Sequence, residues 1–327
     1  MTRTPLRISI GGGGTDLPSY YREHGGGFVI SAAISKYVYI TINRSFLPGY
    51  FLKYSETEHA TTCDEIRHPL MREAIRMHRA ASPLEVVSVA DVPAGTGLGS
   101  SGTFLVGLLH ALYAWRREPV TAEILAREAV EIEMIRLAQP VGKQDQYIAA
   151  YGGLLCQEYL PDGEVRVTPL HMSDESLREL RDSLMLFFLG ETRSANGLLD
   201  EQKRLTEAHD QAMIDGLHFA RSLGRQIREA LEAGRVGDFG PLLHEHWLRK
   251  RGRCCRMSNP RVNQMYDLAL TRGGASGGKV VGAGGSGFLL LHTQDRHRLR
   301  DTMLQAGLSE MDFSFDFDGS VVLLRNA

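Results

Sequence analysis

The alternation of hydrophobic and polar positions predicts a chain that mixes β-strands with helices. Runs of β-branched and aromatic residues predict strands over residues 5–10, 28–42, 84–90 and 184–189. Apolar positions at helical spacing predict helices over residues 67–80, 103–115, 121–137, 195–233 and 237–252, with Thr121 as an N-cap and a further short helix in KQDQYIAAYGG. The chain closes with a strand in FLLLH, a helix in DRHRLRDTMLQAG, and strands in MDFSFDF and SVVLLR. This order predicts an α+β fold.

A chain of 327 residues is long enough for two ordinary domains. The polar stretch HMSDESLRELRDS separates the first group of predicted elements from the second. We therefore expect a boundary near residue 180, with one domain over residues 1–180 and the other over residues 181–327.

Composition and charge exclude several classes of protein. The hydrophobic share of 43%, the charged share of 23% and the net charge of -2 are ordinary for a globular protein, and they provide no field that would attract nucleic acid or an anionic membrane. No apolar run approaches the ~18 residues of a membrane span, and the N-terminus lacks the apolar region of a signal peptide. Four cysteines without a C-x-x-C pair indicate reduced thiols. We expect a cytoplasmic protein without nucleic-acid or membrane partners.

Glycine is the unusual component of the composition. It accounts for 35 of the 327 residues, above the usual share of about 7%. The glycines cluster at residues 11–14, 25–27, 95–102 and 273–287. Clustering indicates that particular backbone shapes are required at these places.

The third of these clusters, in PAGTGLGSSGT at residues 93–103, lies between a predicted strand and a predicted helix. Gly97, Gly99 and Gly102 fit the G-x-G-x-x-G spacing of a dinucleotide site, but that site requires a second strand after the helix, and here a second helix follows. The segment has no lysine, which excludes a Walker A loop. A purely structural turn rarely needs four glycines and four hydroxyl side chains. The remaining reading is a phosphate-binding loop at a helix N-terminus.

Phosphoryl transfer would require further groups, and four charged residues are candidates. Glu133 could bind Mg²⁺, although a glutamate on a helix usually faces solvent. Asp145 lies in the first turn of a predicted helix, where it either caps the helix or performs chemistry. Arg7, near the end of a strand, suits pairing with an anion or a carboxylate. Asp16, after GGGGT, either forms a turn or accepts hydrogen bonds from sugar hydroxyls.

With these residues collected, the sequence resembles the GHMP superfamily of small-molecule kinases, which includes galactokinases, homoserine kinases and mevalonate kinases. PLRISIGGGGTD, PAGTGLGSSGT and KVVGAGGSGFLL look like its three motifs and occur in the family's order. The resemblance implies ATP as the phosphate donor and Mg²⁺ as a cofactor. It also implies a two-domain fold, with an N-terminal domain like domain 2 of ribosomal protein S5 and a ferredoxin-like C-terminal domain.

The resemblance implies roles residue by residue. Asp145 would be the general base or the orienting carboxylate for the acceptor hydroxyl, with Arg7 beside it, while Ser101 and Glu133 would hold Mg²⁺. The ATP phosphates would be bound by Gly95, Gly97, Leu98, Gly99, Ser100, Ser101, Gly102 and Thr103. The acceptor would be bound by Gly13, Gly14, Thr15, Asp16, Gly282, Gly284 and Gly285.

Within the superfamily the sequence looks most similar to D-glycero-D-manno-heptose 7-phosphate kinases, which phosphorylate the anomeric hydroxyl. Galactokinases carry a glutamate and a histidine where this chain has Gly13 and Gly14. A sugar phosphate needs cationic groups, and Arg193 is the first candidate, followed by Lys250 and Arg251, whose helix could equally present them to solvent. The alternatives are a kinase for another sugar, of the fucose, uronic acid, galactose or amino-sugar type, or a non-catalytic sensor of sugars or nucleotides. The oligomeric state stays open, with a homodimer as one option.

Overall fold

The computed structural model describes residues 1–190, 196–252 and 257–325. Within these ranges the strands form two separate sheets. The first sheet contains β1 (Thr2–Gly12), β2 (Gly27–Asn43), β3 (Tyr50–Lys53), β4 (Thr57–Ala60), β5 (Leu84–Ala90), β6 (Leu154–Tyr159), β7 (Val165–Pro169) and β12 (Val321–Val322). Its order is β12-β1-β2-β5-β3-β4, with β6 paired to both β2 and β7. Its pairs are antiparallel except for β3 and β5.

The first half of the chain contains six α-helices within the described residues. They are α1 (Pro18–Tyr21), α2 (Pro69–Met77), α3 (Ser100–Arg116), α4 (Ala122–Val130), α5 (Gln144–Tyr151) and α6 (Asp174–Ser183). Helix α3 packs against β1 and β2, and α5 packs against α3 and the same two strands. Helix α4 begins at its predicted cap, because the Thr121 hydroxyl accepts a hydrogen bond from the amide of Ile124. It continues into a π-helical turn over Glu131–Arg136.

The second sheet belongs to the later part of the chain. Its strands are β8 (Leu184–Phe188), β9 (Ala275–Val280), β10 (Phe288–Thr293) and β11 (Ser309–Met311), all antiparallel in the order β11-β8-β10-β9. The accompanying helices are α7 (Asn196–Glu207), α8 (Gln211–Glu232), α9 (Phe239–Arg251), α10 (Pro260–Thr271) and α11 (Arg296–Gln305). This mixture of helices and sheets confirms the predicted α+β class.

The two sheets share one hydrophobic core. Strand β8 alternates between its two faces: Leu184 and Leu186 join the large cluster that contains Leu6 and Phe28 of the first sheet, whereas Met185 and Phe187 join a smaller cluster behind the second sheet. Helix α8 packs directly on β1 and β2. The second half is therefore held against the first, with the glycine clusters at the junction.

The structure differs from the sequence-based expectations in several elements. The stretch HMSDESLRELRDS, expected to separate domains, forms α6, which is capped by the Ser173 hydroxyl. The long helix expected over residues 195–233 is interrupted before Asp210, whose carboxylate caps α8 by accepting from Met213. The last two strands are much shorter than MDFSFDF and SVVLLR.

The boundary expected near residue 180 stays a prediction. The chain moves from the first sheet to the second between β7 and β8. Strand β12 nevertheless returns to the first sheet, where Val321 and Val322 pair with Arg3 and Thr2. Among the helices of the described ranges, none has the length and apolar character needed to cross a membrane.

Candidate active site

A cavity of about 860 Å³ opens between the two halves of the protein. Three of the glycine clusters meet at its wall. The glycines of these clusters that line it are Gly12, Gly13, Gly14, Gly95, Gly97, Gly99, Gly102, Gly282 and Gly284. Arg7, Asp16, Glu133 and Asp145 line the same cavity. The structure thus brings the four charged candidates and the glycine segments to one place.

The loop at residues 93–103 ends at the N-terminus of α3. Gly97 and Gly99 have φ of +83° and +78°, a left-handed conformation that favours glycine, and Gly99 is the residue before the first helical residue, Ser100. The positive end of the α3 dipole therefore opens on the cavity, together with Ser100 and Ser101. This geometry suits the binding of phosphate oxygens.

The glycine cluster at residues 273–287 lies directly on this loop. A Cβ atom at Gly97 would lie 2.7 Å from the carbonyl oxygen of Val281, and one at Gly282 would lie 2.7 Å from the carbonyl oxygen of Gly97. A Cβ at Gly287 would approach the carbonyl oxygen of Thr96 to 2.2 Å. The glycines at these positions allow two main-chain segments, one from each half of the protein, to lie in contact. The C-terminal half therefore helps to shape the phosphate loop.

We expect Gly97→Ala to destabilise the protein and raise the KM for ATP. Gly307→Ala is the matched control, because Gly307 has φ of +81° and, within the described chain, no atom lies within 4 Å of its Cβ position. Both variants carry the strain of a left-handed alanine, about 1–2 kcal/mol. Gly97→Ala adds steric overlap with Val281, a further ~1–3 kcal/mol. Urea unfolding and ATP titration measure both effects; equal losses with an unchanged KM would mean that the two loops do not depend on this contact.

Arg7 and Asp145 form a bidentate ion pair at the centre of the cavity. Arg7 donates from Nε to Asp145 Oδ1 at 2.7 Å and from Nη2 to Oδ2 at 2.9 Å. Its Nη1 donates to the carbonyl oxygen of Gly97, and its backbone amide donates to Leu98. The guanidinium therefore fixes both the carboxylate and the phosphate loop. Gly102 gives Asp145 its space, since a Cβ there would lie 2.9 Å from Asp145 Cβ.

Glu133 is buried at the cavity wall rather than facing solvent. The Ser101 hydroxyl donates to its Oε1 and the Gln146 amide donates to its Oε2. Burial raises the pKa of Glu133 to about 7, and the two hydrogen bonds oppose this rise. The carboxyl lies in the π-helical turn, and such turns occur frequently at functional sites.

Ser101 and Glu133 offer oxygen ligands, which Mg²⁺ prefers. Ser100 Oγ is also buried and makes no hydrogen bond within the described residues. No cluster of three or more histidine, cysteine, aspartate or glutamate side chains in those residues is arranged to hold a metal ion. A pair of protein oxygens beside a phosphate loop fits a magnesium ion that is also held by phosphates of ATP.

Asp16 follows the first glycine cluster and lies next to α5. Its Oδ2 accepts a hydrogen bond of 3.4 Å from the backbone amide of Gln144. A Cβ at Gly142 would lie 1.8 Å from the same oxygen, so this close approach requires a glycine. Burial, reinforced by the negative charge of Asp145, raises the pKa of Asp16 to about 6. Gly13 and Gly14 complete this side of the wall.

Some of the predicted site residues lie away from the cavity wall. The Thr15 hydroxyl both donates to and accepts from the main chain of Phe28, and the Thr103 hydroxyl donates to the carbonyl oxygen of Pro5. Both threonines therefore hold main-chain segments next to the cavity without lining it. Leu98 is buried in the core, and Gly285 donates its amide to Met257. Arg193 lies outside the described residues.

Among the basic residues expected to bind a sugar phosphate, Lys250 lines the cavity and Arg251 does not. The Lys250 amine donates to the carbonyl oxygens of Val280 and Gly282, at 3.3 and 2.5 Å. Arg251 instead contacts Asn263 at 3.5 Å. The buried face of α9 explains the difference, because Leu243, His246, Trp247 and Lys250 follow a helical spacing.

Sequence reasoning missed several residues of the wall. Lys279 and His246 are buried and line the cavity from the C-terminal half, and Gln146 holds Glu133. Another part of the wall contains Tyr54, Ser55, His68, Leu70 and Phe104. The position of Lys279 three residues before Gly282, the start of GAGG, and the helical spacing of His246 were the available signals. Nothing in the local pattern marked the aromatic part of the wall.

Residues 66–153 match the family described as GHMP kinases N terminal domain, and residues 227–308 match GHMP kinases C terminal. The two matches contain the phosphate loop, Glu133, Asp145 and the glycine cluster at residues 273–287. The chain belongs to the GHMP kinase family. It is therefore an enzyme that transfers a phosphoryl group to a hydroxyl, with ATP as the donor. This confirms the family, the fold class and the enzyme class expected from the motifs.

Similarity extends along almost the whole chain to a D-glycero-alpha-D-manno-heptose 7-phosphate kinase of Campylobacter jejuni, at 28% identity over 97% of each chain. A solved structure of a D-glycero-D-manno-heptose 1-phosphate kinase from Bacteroides thetaiotaomicron superposes with a TM-score of 0.79 at 27% identity, covering 98% of this chain and 97% of that one. A bifunctional fucokinase/GDP-fucose pyrophosphorylase of Arabidopsis thaliana is 24% identical over 91% of this chain but only 30% of its own length. The two similarities that span nearly the whole of both chains are thus to kinases of heptose phosphates.

Proposed function

We propose that this GHMP kinase phosphorylates the anomeric hydroxyl of D-glycero-D-manno-heptose 7-phosphate, with ATP and Mg²⁺, to give the 1,7-bisphosphate. The observation that carries the substrate is the similarity to the Campylobacter jejuni heptose 7-phosphate kinase over 97% of both chains. A Cβ at Gly14 would lie 3.0 Å from the side chain of Gln202. Gly13 supports the assignment, because it lines the cavity and, in the described structure, no atom lies within 4 Å of its Cβ position. This leaves room for a bulky sugar.

The reaction joins the acceptor oxygen to the γ-phosphorus and breaks the bond from that phosphorus to the bridging oxygen of ADP. Asp145 orients the acceptor hydroxyl and takes its proton, while Arg7 holds the carboxylate by two hydrogen bonds. The glycine loop and the N-terminus of α3 bind the ATP phosphates. Asp16 accepts hydrogen bonds from sugar hydroxyls.

Mg²⁺, when bound by Ser101 and Glu133, would neutralise part of the charge on the phosphates. In the protein alone the Ser101 hydroxyl donates to Glu133. Both side chains line the cavity next to the phosphate loop. Positioning of the substrates and stabilisation of charge would provide most of the rate enhancement.

A kinase for another sugar is the second candidate, and the similarity to the Arabidopsis thaliana fucokinase protein favours it. The name of the Bacteroides thetaiotaomicron relative, a heptose 1-phosphate kinase, raises the further question of which carbon carries the phosphate of the substrate. In each alternative, a different sugar would place its hydroxyl next to Asp145.

ADP release across a panel of acceptors tests the proposal. The panel contains heptose 7-phosphate, heptose 1-phosphate, unphosphorylated heptose, L-fucose and galactose. We expect the highest kcat/KM with heptose 7-phosphate, and a product in which phosphorus NMR detects a new phosphate on the anomeric carbon. A higher kcat/KM with another acceptor would refute the heptose 7-phosphate assignment.

A further inference from the structure

A buried lysine lies on the acceptor side of the cavity. Lys279, on β9, has 1% of its surface exposed and lines the cavity. Its Nζ donates to the hydroxyl of Ser9 on β1 at 3.1 Å. Lysine is among the residues that are least often fully buried, because removing an ammonium group from water is unfavourable. Because Lys279 lines the cavity, its ammonium group is placed to donate to an anion bound there.

Strand β1 sets the position of this lysine relative to the reacting groups. Arg7 and Ser9 are two residues apart, so they lie on the same face of the strand about 7 Å from each other. Arg7 holds Asp145 and the phosphate loop, whereas Ser9 contacts Lys279 on the side where β1 leads to Gly12 and the first glycine cluster. Lys279 thus lies along the strand from Asp145, in the direction of the predicted acceptor residues.

A second basic residue reaches the same end of β1. His246, on α9, is buried and its Nε2 donates to the carbonyl oxygen of Gly12 at 2.7 Å. Lys250, one turn further along α9, binds the carbonyl oxygens of Val280 and Gly282 instead. Gly282 touches the phosphate loop at Gly97, so Lys250 supports the nucleotide side and Lys279 the acceptor side.

The carboxylates of the site explain why an anionic acceptor needs such a group. Asp16, Glu133 and Asp145 all line the cavity, and a phosphomonoester placed next to them would be repelled. His246, Lys250 and Lys279 line the same cavity from the C-terminal half, so they form a basic wall that faces these carboxylates. A sugar with a phosphate at its far end would place its hydroxyls at the carboxylates and its phosphate at this wall.

We propose that Lys279, positioned by Ser9, binds the phosphate that the acceptor sugar already carries. The ligand is a phosphomonoester at the end of the sugar remote from the hydroxyl that reacts. This inference rests on the proposed function, because it requires an acceptor with a phosphate. It adds the residue that distinguishes a phosphorylated from an unphosphorylated sugar.

Lys279→Met tests the proposal, with Lys203→Met as the matched control on the exposed surface of α7. ADP release is measured with heptose 7-phosphate and with unphosphorylated heptose. We expect Lys279→Met to raise the KM for heptose 7-phosphate by about 10- to 100-fold, as for the loss of a charge-assisted hydrogen bond. The KM for the unphosphorylated sugar and for ATP should change by less than about threefold, and the control should equal wild type. If the methionine variant does not fold, Lys279→Gln, which keeps a polar contact with Ser9, carries the same expectation.

A second measurement separates this inference from the proposed function. Inorganic phosphate is titrated against the protein saturated with a non-hydrolysable ATP analogue, and the melting temperature is followed. We expect phosphate to stabilise the wild type and Lys203→Met but not Lys279→Met. If the wild type does not use heptose 7-phosphate but this difference remains, the proposed function fails and the anion site stands.

Two results would overturn the anion site itself. One is an unchanged preference for heptose 7-phosphate in Lys279→Met, together with unchanged stabilisation by phosphate. The other is an equal fall of kcat with both sugars or a raised KM for ATP, since either would assign Lys279 to the transferred phosphate or to the nucleotide.

Discussion

Replacing Asp145 with asparagine should lower kcat by about 10²- to 10⁴-fold, the contribution of a positioned proton acceptor. Affinity for ATP should change little, because the phosphate loop and α3 do not depend on this carboxylate for their main-chain shape. Asparagine also replaces one carboxylate oxygen with a donor, so one of the two hydrogen bonds from Arg7 is lost. The measurements are single-turnover phosphate transfer, ATP binding by calorimetry, and the melting temperature.

Asp318→Asn is the matched control for this variant. Asp318 forms an ion pair of 2.8 Å with Arg3, which lies on β1 like Arg7. The side chain of Asp318 is mostly exposed and does not line the cavity. Its replacement should leave kcat unchanged. Arg7→Lys adds a further test: it keeps the charge but not the two parallel hydrogen bonds, so kcat should fall by less than in Asp145→Asn.

The two changes should not be additive. If Arg7 acts by positioning Asp145, the double variant should be no slower than Asp145→Asn alone. Near-normal turnover of Asp145→Asn would remove Asp145 from the chemistry. Additive losses would instead assign Arg7 an independent contact with the transferred phosphate.

The sequence predicted the loops of the site better than their surroundings. Glycines with positive φ, such as Gly97 and Gly99, belong to short motifs whose residue types report the backbone shape directly. The contact between Gly97 and Val281 depends on how the two halves pack, and local spacing contains no such information. The same holds for β12, a two-residue strand whose pairing with β1 is decided by the tertiary structure.

Charged residues on helices show the other limit of the sequence analysis. The stretch HWLRKRGR left two interpretations open, a phosphate-binding group or a solvated helix face, and in the structure Lys250 shares the buried side of α9 with Leu243 and Trp247. The helical spacing of Leu243, Trp247 and Lys250 indicated that they share one face, whereas the positive charge of Lys250 favoured an exposed position. For Glu133, helical spacing alone favoured a solvated face, and only the family resemblance assigned it to Mg²⁺. The π-helical turn changes the register after Val130, so a helix of 3.6 residues per turn could not place its carboxyl.

Glu133→Gln should raise the Mg²⁺ concentration required for half-maximal activity and lower kcat, together by on the order of 10²-fold, because a neutral amide is a weaker ligand than a carboxylate. Stability should be preserved. The buried carboxyl has a pKa of about 7, so in the absence of metal it is partly protonated at neutral pH, and a glutamine resembles that neutral form in size and polarity. Mg²⁺ titrations of ADP release at saturating ATP and sugar, with melting curves, measure the two effects.

Glu131→Gln is the control, since Glu131 lies in the same π-helical turn but pairs with Arg136 at the surface. It should match wild type in both assays.

The pH dependence of stability separates a metal ligand from a structural acid. A raised folded pKa means that the stability associated with protonated Glu133 is complete below pH 4.5 and is lost as the pH rises through about 7. Wild type should therefore lose stability over this interval relative to Glu133→Gln, and Mg²⁺ with ATP should restore it only in wild type. Restoration in both proteins, with an unchanged Mg²⁺ requirement, would show that the metal is held elsewhere.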